Sequence, residues 1–320
     1  MNGPSGADLG RRLREAELSV APAVLNLVES RPAQEAGEVE ALLHEVAPAA
    51  LGGEAQAHII GVTGPPGVGK STLLSELVGA WRERDRSVAV LAVDPSSKRS
   101  GGALLGDRAR IASDPADHAT FIRSTAAGDR LGGLAPATRA AAQALAAAFD
   151  VVVVETVGVG QSETEVAEVA DTVAVVVQPG SGDALQFLKS GIMEIPDVLV
   201  VTKADLGTVA QRARRDLVAT LRSVGEHATQ VVSVSSVAPV QGFGELIDAL
   251  DAHRAGLDLP ARRLVARRAG ALADFHAEHG DRGLRALGGR RAARRALDEE
   301  DPALEVAALT RALEARAGAT

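Results

Sequence analysis

Residues 64–71, GPPGVGKS, constrain this chain more than any other stretch. Gly64 is followed by Pro65, Pro66, Gly67 and Val68, and then by Gly69, Lys70 and Ser71. That spacing suits a loop whose glycines let backbone N–H groups curl round a polyphosphate and donate to its oxygens. In such a loop Lys70 reaches the β- and γ-phosphates, and Ser71 puts its hydroxyl on Mg²⁺. The flanks fit. HIIGVT (58–63) reads as a buried strand, and STLLSELVGAW (71–81), which holds Thr72, reads as a helix. The N-terminus of that helix then points its dipole at the phosphates. The competing reading is a Gly/Pro-rich turn that matches by chance. The strand before it and the helix after it disfavour that reading.

The 320 residues, 46% of them hydrophobic, suffice for one large α/β domain with appendages. A net charge of −8 disfavours a nucleic-acid backbone as the main partner. With no cysteine there is no disulfide framework and no thiolate site. No apolar run is long enough to span a bilayer, and MNGPSGADLGRRLREAE lacks the apolar core of a secretory signal. The expectation is a cytoplasmic protein with no membrane contact. Lysine occurs only at Lys70, Lys98, Lys189 and Lys203, the other basic residues being arginine. Two of these lysines fall in nucleotide motifs, where a compact point charge or a base-stacking stem is wanted. The other two are functional candidates or ordinary solvated residues.

Residues 8–50 read as helices, with Val39, Leu42, Leu43 and Val46 on one face and Pro32 as a helix start. From His58 the pattern alternates. Continuous apolar runs at 88–93, 151–154, 173–177, 198–201 and 231–234 fit strands covered on both faces. Helical stretches at 135–149 and 208–224 lie between them. The expected fold class is α/β. A doubly wound, mainly parallel sheet occupies residues 58–255, with ligands at the carboxyl ends of its strands. Residues 1–57 form an N-terminal helical extension, and 256–320 a C-terminal helical arm that packs on another subunit. Two helices are expected in the arm, the second starting at Asp301–Pro302 and carrying Val306, Leu309 and Leu313. RRAARR (290–295) reads as a solvated helix face rather than a nucleic-acid patch.

Further candidates fall at strand ends. Asp94 closes VAVLAVD and opens a loop ending at Asp107, and either carboxylate can hold Mg²⁺ directly or through water. Both also suit plain capping or surface roles. Glu155 ends the next strand, with Gly158 three residues on. This is a variant of the Asp-x-x-Gly pattern that serves Mg²⁺ and the γ-phosphate. Val159 stands where many GTPases keep a water-orienting glutamine, although Gln161 is close, so slow intrinsic hydrolysis is expected. In VLVVTKAD (198–205), Asp205 can accept from N1–H and the N2 amine of guanine. Adenine offers neither donor. Lys203 can lie over the base. Thr202 holds the place where Asn is usual, and so supplies one hydroxyl instead of an amide. Backbone amides at Ser235, Ser236 and Val237 are candidates for the guanine oxygen.

Together the motifs resemble the MeaB/ArgK family, the GTPases associated with methylmalonyl-CoA mutase. The likeness rests on LNLVES (25–30), GVTGPPGVGKST (61–72), VAVLAVDPSS (88–97), GGALLGD (101–107), FIRS (121–124), LGGL (131–134), VVVVETVGVGQSE (151–163), PGSGDALQFLKSGIMEI (179–195) and TKAD (202–205). It implies a homodimeric GTPase that binds GTP, GDP and Mg²⁺. Such a protein serves as chaperone to an adenosylcobalamin-dependent acyl-CoA mutase, gating cofactor loading and protecting the mutase, which in turn speeds hydrolysis. Carried over, Lys70 and Ser71 serve phosphate and Mg²⁺, while Asp94, Asp107 and Glu155 are the metal and switch carboxylates. Asp205 reads guanine. Pro179, Gly182, Asp183, Gln186, Lys189 and Glu194 lie in the segment that answers to the mutase. The departures are Thr202, the segment STAAGDR (124–130) and the C-terminal arm, which matches least. Two other classes stay open. A metal-insertion GTPase would ordinarily carry a His- or Cys-rich tract, and only His276 and His279 stand close together here. A transport-linked ATPase or kinase would read adenine.

Overall fold

The valine-rich runs settle as strands because two heavy atoms on Cβ fit a pleated surface better than a helix. In the computed structural model seven strands form one parallel sheet. They are β1 (His58–Thr63), β2 (Val88–Asp94), β3 (Thr120–Ala126), β4 (Val151–Thr156), β5 (Thr172–Val177), β6 (Val198–Val201) and β7 (Gln230–Ser233). Their order is β3-β2-β4-β1-β5-β6-β7. Residues 4–30, 36–94, 111, 114, 116–126, 136–156, 166–180 and 196–318 are described, Asp94 and Ala126 by their backbone alone. Every residue of β1, β4, β5 and β6 is buried, as expected of strands covered on both faces. This is the parallel α/β architecture that the sequence predicts. Strand β3 was not foreseen. It is an edge strand, largely half-buried, and its polar TFIRSTA carries no continuous apolar run.

The described residues divide into two compact units. One, Ala57–Ala142 with Phe149–Leu257, contains the whole sheet. Helices α5 (Lys70–Arg82), α7 (Thr208–Ser223) and α8 (Phe243–Ala255) lie within it. Leu73, Leu74, Leu77 and Trp81 of α5 meet Leu246, Ile247 and Leu250 of α8 in a core against β1, β4 and β5. Helix α6 (Pro136–Leu145) begins in this unit.

At the amino ends of the strands a partly buried polar chain crosses the sheet. His58 Nε2 lies 2.7 Å from Thr172 Oγ1, which lies 2.8 Å from His253 Nδ1. His253 Nε2 is 3.1 Å from Asp197. The other His58 nitrogen faces Asp251 at 3.9 Å, and Asp251 takes a two-pronged bond from Arg86 at 2.7 and 2.8 Å. Burial pushes the His58 pKa below its ordinary value, outweighing the pull of Asp251 and Asp171. Burial opposes the ionised form of Asp251, yet His58 and Arg86 hold its carboxyl below the usual range.

The second unit joins both ends of the chain: Met1–Gln56, Gln143–Ala148 and Asp258–Thr320. Its N-terminal part holds α1 (Gly6–Arg14), α2 (Ala21–Glu29), α3 (Ala36–Glu45) and α4 (Pro48–Leu51). Pro32 lies outside the described residues. Leu42, Leu43 and Val46 are buried as their spacing predicts. Helix α1 packs against α3 through Gly6 and Gly10. A Cβ on Gly6 would stand 1.8 Å from the Glu38 carbonyl, and one on Gly10 would stand 2.5 Å from the Glu45 side chain. The C-terminal part holds α9 (Leu259–Ala286), α10 (Arg290–Asp298) and α11 (Val306–Gly318). This corrects the expectation of two helices, because RRAARR forms a helix of its own. Ala293, Ala296 and Leu297 are its buried face, and the four arginines are exposed. Asp301 also differs from expectation. Its carboxylate accepts from the Ala303 amide in a turn, and the last helix starts at Val306. Arg267 ties the two chain ends together, bonding Glu54 at 2.8 Å and the Pro302 carbonyl at 2.8 Å. No helix among the described residues is long and apolar enough to cross a membrane.

Candidate nucleotide-binding site

Parallel pairing brings the carboxyl ends of all seven strands to one edge, and the sequence candidates collect there. The phosphate-type loop leaves β1 at the middle of the sheet. Gly64, Gly67 and Gly69 all take positive φ (142°, 80° and 96°), a region that side chains disfavour. Gly64 is doubly constrained, because a Cβ there would stand 2.1 Å from the Val176 carbonyl of β5. Val68 sinks into the core and pegs the loop from below. Gly69 caps α5, so the helix opens at Lys70 with Ser71 and Thr72 in its first turn. Lys70 is buried. Its Nζ folds over the loop, donating to the carbonyls of Gly64 at 2.7 Å and Pro65 at 3.1 Å.

Acidic candidates flank the loop on one side. Glu155 of β4 is buried and in register with Val62 of β1 and Ala92 of β2. The next residue, Thr156, donates to Thr63 at 2.9 Å and joins the strand end of the carboxylate to the start of the loop. Asp94 ends β2, in register with Ala126 on β3. Asp107 and Gly158 lie outside the described residues, as do Lys98, Val159 and Gln161.

The base-reading candidates lie on the other side. Thr202 follows β6 and is buried. Its hydroxyl is shared between two main-chain carbonyls, Val68 at 2.9 Å and Val177 at 3.1 Å. It acts as a strut between strand ends and the phosphate loop, a role one hydroxyl suffices for. Lys203 takes a left-handed conformation (φ 55°, ψ 44°), and its Nζ bonds Gln178 Oε1 at 2.6 Å. Asp205 sits in a single 3₁₀ turn, Ala204–Leu206. Ser235, buried after β7, donates from Oγ to Asp205 Oδ1 at 3.1 Å and accepts from the Val237 amide at 3.2 Å. Ser236 lies between Ser235 and Val237, and Val237 is exposed. Of the residues after β5, Pro179 is described, whereas Gly182, Asp183, Gln186, Lys189 and Glu194 lie outside the described residues.

Sequence reasoning missed Gln178, Thr63 and Thr156. Thr63 and Thr156 lie inside quoted motifs and Gln178 just before one, but only the pairing of distant strands shows which partners they touch at the site. The donor set fits a magnesium nucleotide. Positive-φ glycines expose amides, a lysine and a helix N-terminus supply positive charge, and hydroxyl and carboxylate oxygens suit a hard dication.

The comparisons agree with this geometry. A crystal structure described as LAO/AO transport system kinase superposes with a TM-score of 0.65 at 27% identity, over 98% of each chain. A Pyrococcus abyssi protein named Putative GTPase PYRAB02490 is 44% identical over 219 residues, 66% of this chain and 67% of its own length. The Caenorhabditis elegans protein named Methylmalonic aciduria type A homolog, mitochondrial, is 34% identical over 232 residues, 68% of this chain and 57% of its own length. This chain therefore matches about two thirds or less of the length of the Pyrococcus and Caenorhabditis proteins. The family described as Methylmalonyl Co-A mutase-associated GTPase MeaB matches residues 21–278, most of the chain. With the phosphate loop, the flanking carboxylates and the Thr-Lys-Ala-Asp turn at one sheet edge, the chain belongs to the MeaB family of methylmalonyl-CoA mutase-associated GTPases.

Proposed function

We propose that this chain hydrolyses GTP and serves as a chaperone for an adenosylcobalamin-dependent acyl-CoA mutase of the methylmalonyl-CoA type. The observation that carries the base preference is the Asp205 carboxylate, oriented by the Ser235 hydroxyl next to the phosphate loop. A carboxylate held there pairs with the two donors of guanine and would face adenine unpaired. The family match supports the partner class.

In this reading the loop amides and Lys70 hold the β- and γ-phosphates, with Lys70 exchanging its bonds to Gly64 and Pro65 for phosphate oxygens. Ser71, Asp94, Asp107 and Glu155 would hold Mg²⁺, which when bound would supply charge neutralisation to the phosphates. Lys203 covers the base. Turnover is slow alone and rises with the mutase, which acts on the segment containing Pro179, Gly182, Asp183, Gln186, Lys189 and Glu194. The nucleotide state in turn gates adenosylcobalamin loading. The protein works as a homodimer joined through the C-terminal arm, which sedimentation equilibrium tests directly.

The deciding experiment measures GTP and ATP hydrolysis, with and without a methylmalonyl-CoA mutase from the same source, together with cofactor loading of that mutase. The expected result is GTP turnover stimulated by the mutase, with no ATP turnover. A mutase that changes neither turnover nor its own loading would sink the chaperone role. A preference for ATP would overturn the base assignment.

A further inference from the structure

Far along the chain from the phosphate loop, α9 and α11 bring three metal-ligating side chains together. Glu278 and His279 lie in the last third of α9, just before Gly280, and Glu314 lies on α11. One ligand atom from each lies within 4.8 Å of the other two. His279 Nε2 stands 3.2 Å from Glu314 Oε1. Ligand bonds of about 2.0–2.2 Å to one ion, at tetrahedral to octahedral angles, put neighbouring donor atoms about 3.0–3.5 Å apart. The His279–Glu314 spacing already meets that requirement. Glu278, within 4.8 Å of both, must move its carboxylate closer to share the same ion.

The imidazole is held in place. Its ring packs on Phe275 with centroids 4.8 Å apart, and Phe275 is fully buried in the core that α9, α10 and α11 share. Gly280, the next residue, breaks the helix with φ 59° and ψ −163°. The chain after the kink returns so closely that a Cβ on Gly283 would stand 2.4 Å from the His279 Cβ. The backbone therefore fixes where His279 stands. The nearby cations of α11 are engaged elsewhere, Arg311 with Glu40 and Arg316 with Glu299 and Glu300. His279 and Glu314 are each about one-third exposed (38% and 34%), so an ion can enter from solvent and keep water at its remaining positions.

We propose that Glu278, His279 and Glu314 form a site for a transition-metal dication of the Zn²⁺ class, clipping α9 to α11. One imidazole with two carboxylates suits Zn²⁺ and its first-row neighbours, whereas Mg²⁺ and Ca²⁺ prefer oxygen alone. The site uses none of the residues of the nucleotide site and does not depend on how the nucleotide reading fares.

The test is calorimetric titration of Zn²⁺ into the untagged, chelator-treated full chain, free of nucleotide and in excess Mg²⁺. The expected result is one saturable ion per chain and a thermal midpoint that rises with Zn²⁺. His279→Gln and Glu314→Gln should each weaken binding at least about tenfold and abolish that rise. If either variant fails to fold without metal, the exposed Glu278→Gln replaces it, with the same loss expected. No saturable binding, or equal affinity in the variants, would overturn the site.

Discussion

Thr202 Oγ1 lies 2.9 Å from the carbonyl oxygen of Val68, so one hydroxyl spans from the end of β6 to the phosphate loop. Thr202→Val keeps the shape and removes the donor, leaving the buried Val68 carbonyl short of this partner while Val177 keeps the Thr202 amide. The expected loss of stability is about 1–3 kcal/mol. Urea unfolding measures it. Because the strut steadies the loop and not one ligand group, GDP and GTP affinities should fall together, and Thr202→Ser should restore both. A Thr202→Val protein with unchanged urea midpoint would mean the hydroxyl carries no load.

Asp205→Asn turns one carboxylate oxygen into an N–H₂ donor. Facing guanine, that donor meets the N2 amine, donor against donor. Xanthine presents an oxygen at C2, which the amide can serve while its own oxygen accepts from N1–H. GTP affinity should drop about 10–100-fold, the worth of a charged hydrogen bond, and xanthosine triphosphate affinity should rise. Competition binding with the two triphosphates measures both. Unchanged discrimination would place base reading elsewhere.

His58 gives the pH dependence. Its folded-state pKa lies below the ordinary 6.5 because it is buried. The unfolded chain then takes up the proton more readily than the folded one as pH falls through that ordinary value. Stability is full above it and declines as pH falls toward the lower folded pKa. Thermal midpoints between pH 8 and pH 5 should fall, and His58→Gln should flatten the slope. Asp251, Asp171 and Arg254 face the ring, so the same profile in Asp251→Asn separates their share.

Arg267→Ala would leave Glu54, only 11% exposed, as a charge without its closest cation. Arg263 still stands 3.9 Å from Glu54, so the expected cost is up to about 3 kcal/mol, read as a lower unfolding midpoint. Replacing both, Glu54→Gln with Arg267→Met, should recover part of it. A full-strength Arg267→Ala protein would show that the pair holds nothing together.

The central strands were legible because HIIGVT, VVVVET and TVAVVV leave a β-branched run no other good place to go. The phosphate loop was legible because its glycines are demanded by positive φ within a few residues. Strand β3 was not, since an edge strand tolerates Arg123 and Ser124 mid-run. The solvated arginine face of α10 was legible in RRAARR, but its standing as a separate helix was not, because the apolar face of Ala293, Ala296 and Leu297 is narrow. Asp301–Pro302 has the chemistry of a helix start and was used for a turn. At the site, residue types were readable and partners were not. Nothing in TKAD says that its threonine will find Val68, more than 130 positions away in the chain.

The strand order also works as a ruler. Strands β6 and β7 stand two and three places from β1, about 10 and 14 Å across the sheet at the usual strand spacing. The carboxylate-bearing ends of β4 and β2 lie on the opposite side of β1. A ligand that touches everything must therefore be as long as a nucleoside polyphosphate and lie across the strands. Shorter fragments divide the edge between them. If the proposed nucleotide site holds, pyrophosphate should reach only the end of β1 and guanosine only the ends of β6 and β7. Binding of the two together should then report each half of the nucleotide's affinity.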